Sequence, residues 1–122
     1  MQNLEQIRAA AASKVADKTN KTDVSKLPAM IIANGLLAAT AFATESTKGG
    51  GYKREAMAEV LNGTAQHLAN PVHGLTMLAG INNAEALIKA LSEKAGSAEL
   101  QRATAEALAF IGYVKRFAQK ED

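Results

Sequence analysis

The sequence predicts an all-α protein, a compact single-domain bundle of five or six helices, and three observations carry that expectation. The extended apolar patterns have helical period rather than strand alternation. Neither a pair of alternating strand patterns flanking a turn dipeptide nor an internal repeat of fixed period occurs. Alanine is abundant while aromatic residues reach only 4% of the 122 residues, so helix axes can approach closely with few large anchors to lock them. With 48% apolar and 21% charged residues, the chain has the balance of an ordinary globular protein. Its length suits one domain over residues 1–122 with one modest core.

The first helix is expected over residues 3–18, with Leu4, Ile7, Ala11 and Val15 as a narrow apolar stripe. Asn20 to Asp23 interrupt it with cap-prone residues. Ser25 is placed to accept a bond from an early amide of a second helix beginning near Lys26. Pro28 belongs in that helix's first turn, where its missing N–H removes no intrahelical bond. Met30, Ile31, Ile32, Leu36, Leu37 and Phe42 then point in nearly every direction, which predicts a central helix enclosed by others. Asn34, on the side of Leu27 and Ile31, is expected to be buried and internally hydrogen-bonded.

Ser46-Thr47-Lys48-Gly49-Gly50-Gly51 reads as a mobile loop near residues 46–52, because three glycines carry large backbone entropy and almost no side-chain surface. A third helix is expected from about Lys53 to Leu68, facing inward with Met57, Val60, Leu61 and Leu68, and Gly63 is anomalous in its middle. Asn70-Pro71 ends it, and the stretch from Leu75 to Leu78 is ambiguous. Asn82 or Asn83 caps a helix carrying Ala84, Leu87, Ile88 and Leu91, which Gly96 stops. Ser97 caps the longest helix, running to about Lys120 on a stripe of Leu100, Ala103, Ala107, Phe110, Ile111, Val114 and Phe117.

Cysteine is absent, which excludes disulfides and thiolate metal sites and suits a reducing cytoplasm. The first residues lack the basic and apolar regions of a secretory signal. The longest apolar stretch, Leu27 to Ala43, contains Pro28, Asn34, Gly35 and Thr40 and falls short of the roughly 20 residues a membrane span needs. It reads as a core helix.

Little in the chain suggests catalysis. His67 and His73 stand across an expected helix break with no carboxylate at metal-ligand spacing. The serines fall mostly at caps and loop starts, outside any nucleophile-elbow sequence. The glycine run before Lys53 lacks the spacing of a phosphate-binding loop. Glu55, Glu59, Glu85 and Glu106 lie on polar helical faces or near basic residues, as solvated ion pairs do. No catalytic residue, metal site or cofactor is expected.

A net charge of +2 and a pI near 9.0 permit contact with nucleic acid without requiring it. At about 100° per residue, Arg102, Arg116 and Lys120 share one line of the last helix, opposite Leu100, Ala107 and Ile111. Ala105, Ala109 and Gly112 leave the middle of that face smooth, so a nucleic-acid backbone or another helix could lie there. Pairing of Arg102 with Glu99 and Glu106 is the plainer alternative. Arg8 emerges beside Leu4, Ala11 and Val15, where a structural ion pair is equally at home. Lys14, Lys18, Lys21 and Lys26 form a basic concentration partly offset by Asp17 and Asp23, and Lys48, Lys53 and Arg54 form another.

Three passages together resemble the small helical subunit family of type III-B CRISPR (Cmr) RNA-targeting effector complexes. They are Glu5-Gln6-Ile7-Arg8-Ala9; Lys26-Leu27-Pro28 through Asn34-Gly35-Leu36 to Ala41-Phe42; and Arg102-Ala103-Thr104-Ala105-Glu106-Ala107-Leu108-Ala109-Phe110 with Lys115-Arg116-Phe117-Ala118. Residues 48–96 carry no such signature. Tyr113 stands where the family often has tryptophan, and Leu100 where an aromatic is frequent.

The resemblance implies a non-catalytic subunit stacked in several copies as a minor filament along the guide-bearing backbone. Its partners would be other Cmr subunits, copies of itself, crRNA and target RNA, with no membrane and no small-molecule substrate. Within the matching passages, the implied RNA-facing residues are Arg8, Lys26, Arg102, Lys115 and Arg116, and charge placement adds Lys14 and Lys18. Lys115 falls nearer the apolar flank, beside Leu108. A helical adaptor that touches only protein, through the Ala105, Ala109 and Gly112 face, is the alternative.

Overall fold

The computed structural model describes residues 2–119. Helix α1, Leu4–Ala16, starts at Asn3, whose side chain accepts from the Gln6 N–H while Gln6 bonds back to the Asn3 N–H. Its inward face differs from the expected stripe. Ala12 and Ala16 are buried, Ala11 and Val15 partly so, and Leu4 is 40% exposed. A helix attached through alanines sits closer to its neighbours than one attached through leucines.

Asn20 does more than interrupt: its side chain accepts from the Asp23 N–H and caps a single helical turn, α2, Lys21–Val24. Ser25 therefore ends α2 instead of capping the next helix, and its hydroxyl donates to the Lys21 carbonyl. The expected second helix is two, α3 at Leu27–Asn34 and α4 at Leu36–Ala43, broken at Gly35. Gly35 takes φ 92° and ψ 157°, a conformation that a residue with a Cβ rarely adopts. The break turns one face outward. Ile32 is 74% exposed, Phe42 is 37% exposed and Asn34 is exposed, so the segment is not enclosed on all sides and Asn34 needs no internal partner.

The glycine run lies in a turn between an isolated antiparallel bridge of Ser46 and Tyr52, with the Thr47 N–H bonded to the Gly51 carbonyl at 2.7 Å. Helix α5, Glu55–Leu68, follows. Two 3₁₀ turns follow, Pro71–His73 after the Asn70 cap and Thr76–Leu78 within the ambiguous stretch. Asn83 caps α6, Ala84–Glu93, which ends before Gly96. Gly96, rather than Ser97, is the cap residue of α7, Ser97–Phe117, and its N–H is taken by the Glu99 carboxylate.

Leu27, Ile31, Leu36, Leu61, Leu68, Leu78, Leu87, Phe110 and Ile111 fill the core. The buried hydroxyls of Thr40 and Thr64 donate to carbonyls one turn back, at 2.8 Å each. α7 runs beside α1, and both pack on α5. The anomalous glycine of α5 is explained there. A Cβ on Gly63 would stand 2.2 Å from one methyl of Val15 and 3.2 Å from the other, so α1 crosses α5 where no other residue fits.

Gly63→Ala should therefore destabilise the protein, because a Cβ at 2.2 Å from Val15 puts the overpacking cost toward the upper end of about 1–3 kcal/mol, above the roughly 1 kcal/mol that alanine gains over glycine in a helix. Val15→Ala in the same chain should restore most of the loss. Urea denaturation of the single and double variants checks this, and a Gly63→Ala protein as stable as the parent would show that the crossing is loose.

Candidate nucleic-acid interface

The seven basic candidates separate into two groups. Arg8 and Arg102 are hydrogen-bonded within the protein, Arg8 half-buried and Arg102 exposed. The Arg8 guanidinium grips Glu106 with both prongs, Nε to Oε2 at 2.8 Å and a terminal nitrogen to Oε1 at 2.7 Å. Its side chain keeps 18% exposure. A terminal nitrogen of Arg102 donates to the His73 carbonyl at 2.6 Å, pinning the first 3₁₀ turn to α7. Arg102 thus bonds neither Glu99 nor Glu106 among the described residues. The Glu106 partnership raises the Arg8 pKa through the hydrogen bond itself.

Lys14, Lys18, Lys26, Lys115 and Arg116 are exposed. Lys26 lies 3.9 Å from Asp23, a loose surface pair one turn of helix away. Lys14, Lys18, Lys115 and Arg116 form no ion pair among the described residues. Lys115 is exposed rather than seated on the apolar flank. Arg116 lies 5.5 Å from the Tyr113 ring centroid, and the Tyr113 hydroxyl donates to Glu5 at 2.6 Å. Lys120 lies outside the described residues. The smooth face of α7 is open at Gly112, where an added Cβ would meet nothing within 4 Å.

Glu106 is not the solvated carboxylate its sequence neighbours suggest. Its side chain is 11% exposed, and the His67 Nε2 stands 2.8 Å from Oε2. His73 Nδ1 lies 3.9 Å from Oε1, and the two imidazoles meet edge to face at 4.4 Å. Phe110 stacks on His67 at 4.7 Å. Burial lowers the pKa of His67, against the opposing pull of Glu106, and burial followed by the neighbouring His67 lowers that of His73. A neutral His67 donates from Nε2 to the carboxylate. Burial alone would raise the Glu106 pKa, but Arg8 and His67 outweigh it and hold it low.

One potential ligand atom from each of His67, His73 and Glu106 lies within 4.8 Å of the others, a spacing that could admit a metal ion. The charges argue otherwise. Arg8 already neutralises Glu106 and uses both its oxygens, so little negative charge is left for a dication. The arrangement is a hydrogen-bonded ion cluster with one atom lacking a partner among the described residues, the buried Nε2 of His73. Sequence reasoning missed it because Arg8 and His67 lie 98 and 39 residues from Glu106.

Glu106→Ala should cost about 1–3 kcal/mol, since it leaves the half-buried Arg8 guanidinium and the buried His67 Nε2–H without their acceptor. Acid should weaken the parent protein too. Histidines with lowered folded pKa values bind protons only on unfolding, so stability falls as pH drops below about 6.5, by at most about 1.4 kcal/mol per pH unit for each histidine. Glu106, also lowered, adds a loss in the same direction once pH falls below its ordinary value of 4.5. Urea midpoints between pH 7.5 and 5 should decline in the parent and decline less in His67→Gln. Equal slopes would show that His67 does not titrate on unfolding.

No curated protein and no solved structure gives a significant match to the chain. The family model described as CRISPR-associated protein (Cas_Cmr5) matches residues 2–121, and it spans the three passages that carry the resemblance together with the central stretch that lacks a signature. On that match, the chain belongs to the Cas_Cmr5 family and is a CRISPR-associated Cmr subunit.

Proposed function

We propose that this chain is a non-catalytic structural subunit of a type III-B Cmr ribonucleoprotein in the cytoplasm, serving antiviral defence. Copies of it stack with one another and with other Cmr subunits as a minor filament, and their basic side chains help hold the crRNA–target RNA duplex. The observation that carries this reading is the family match over residues 2–121. Exposed Lys14, Lys18, Lys115 and Arg116, without ion-pair partners among the described residues, support it because they are available to phosphates. Arg8 and Arg102 contribute through the structure they hold together.

The non-catalytic reading is supported by the state of Glu106, whose carboxylate is committed to Arg8 and His67. Among the described residues no helix is long and apolar enough to cross a membrane. The protein-only adaptor has its own support in the exposed Ile32 and Phe42 and in the open face at Gly112.

Replacing Lys115 and Arg116 together by glutamate tests between the two. These side chains are exposed, and the cation–π contact of Arg116 with Tyr113 is worth only about 0.5–1 kcal/mol at such a site, so the fold should survive. If each residue meets one phosphate, the slope of log affinity against log salt for target RNA on the assembled complex should shrink by about 1.4. A correctly assembled complex with unchanged affinity and slope would favour the adaptor.

A further inference from the structure

The crossing of α1 over Gly63 leaves a groove of about 290 Å³ between α1 and α5. One wall carries Lys14 and Lys18, a helical turn apart. The other carries Asn62, Gln66 and Asn70, at every fourth position of α5 and just past its end, with the Glu59 carboxylate closing the end that the groove shares with the next cavity. Each amide has one group fixed by backbone. Asn62 Oδ1 accepts from the Ala84 N–H at 2.8 Å, Gln66 Nε2 donates to the Asn82 carbonyl at 3.1 Å, and Asn70 Oδ1 accepts from the Val72 N–H at 3.0 Å. These bonds orient the side chains. The Asn62 Nδ2, the Gln66 Oε1 and the Asn70 Nδ2 remain without a hydrogen bond among the described residues, a donor, an acceptor and a donor on three residues that line one wall.

Resting on the RNA-holding reading above, we propose that this groove is a sequence-independent RNA backbone site, in which Lys14 and Lys18 take phosphates and the Asn62, Gln66 and Asn70 amides bond the ribose 2′-hydroxyls. Reading a base edge with useful selectivity takes both halves of an amide at once, and here each amide has only one half free. A 2′-hydroxyl asks for less, because it both donates and accepts, and it is present on every ribonucleotide. The amides are already ordered by their backbone bonds, so little rotamer entropy is lost on contact. The site is short. Next to Lys18 the groove opens among Asp17, Glu55 and Glu59, whose charges turn a phosphate chain away.

The test is a titration of the isotope-labelled full chain with an oligouridylate hexamer and with its 2′-deoxy counterpart at low salt, read by nuclear magnetic resonance. The expected result is shifts of the Asn62 and Asn70 side-chain amides with the ribo-oligomer and at least several-fold weaker binding of the deoxy one. Lys14→Glu with Lys18→Glu should abolish those shifts. Gln66→Met should keep the folded spectrum and reduce the preference for ribose. Equal response to both oligomers overturns the 2′-hydroxyl assignment. Shifts confined to Lys115 and Arg116 overturn the groove while leaving the RNA reading standing. Silence throughout overturns the groove as well, and the salt slope of the assembled complex then decides the RNA reading on its own.

Discussion

A carboxylate taken out of water has to be answered by charge and hydrogen bonds, and the fold of this protein depends on how Glu106 is answered. Arg8 comes from α1, His67 from α5, and Glu106 itself from α7. α1, which brings few large apolar side chains to the core, is thereby fixed in register with α5 and α7. The need follows from composition. α1 brings Ala12 and Ala16 to the core and leaves Leu4 outside, so its hydrophobic attachment is small and non-directional. The bidentate pair supplies the direction. Burying charge rarely adds net stability over an apolar substitute, but losing one partner is severe. The cluster therefore behaves as a positional constraint more than a source of stability.

How much of the fold is legible in the sequence follows the size of the apolar side chains on each helix. α5, α6 and α7 show their inward faces through leucine, valine and phenylalanine at helical spacing, and most of those residues are buried as read, while Ile88 and Leu100 are only partly so and Phe117, at the end of α7, is 42% exposed. α1 was legible as a helix but not in its rotation, because a stripe of alanines gives little contrast between faces. Gly35 was visible, yet within an almost wholly apolar run nothing local distinguishes a tolerated glycine from one that breaks the helix by taking φ 92°. Gly63 drew attention for the right reason, being out of place in a helix, and its explanation lay in Val15 on another helix.

The site was legible to a lesser degree, and the difference is one of range. Lysines on exposed faces are set by local amphipathicity, so Lys14 and Lys18 could be named from the sequence and are exposed. Arginines make long-range contacts that local pattern does not reveal. Arg8 finds a carboxylate 98 residues away and Arg102 a carbonyl 29 residues away. The histidines likewise reach Glu106 through tertiary folding, and no sequence spacing encodes that.

This division between the two cations has a physical cause with consequences for binding. A guanidinium is planar, weakly hydrated and rich in donors, so it can enter a half-buried network and satisfy fixed acceptors there; an ammonium is compact and strongly hydrated and stays at the surface. Arg8, Arg54 and Arg102 are engaged within the protein, Arg54 with Glu45 and the Phe42 carbonyl. What remains outside is mostly lysine. Lysines meet phosphates as mobile point charges that impose no base preference, and each such contact is weak and screened by salt. A surface of that kind suits a strand whose sequence is read by base pairing with a guide, since a protein contact that discriminated bases would penalise some targets. It also explains how a chain of net charge +2 could contribute to holding RNA. One copy would offer little affinity; in the proposed filament, side-by-side copies would contribute their contacts to the same strand, and effective concentration would do what the individual lysine cannot.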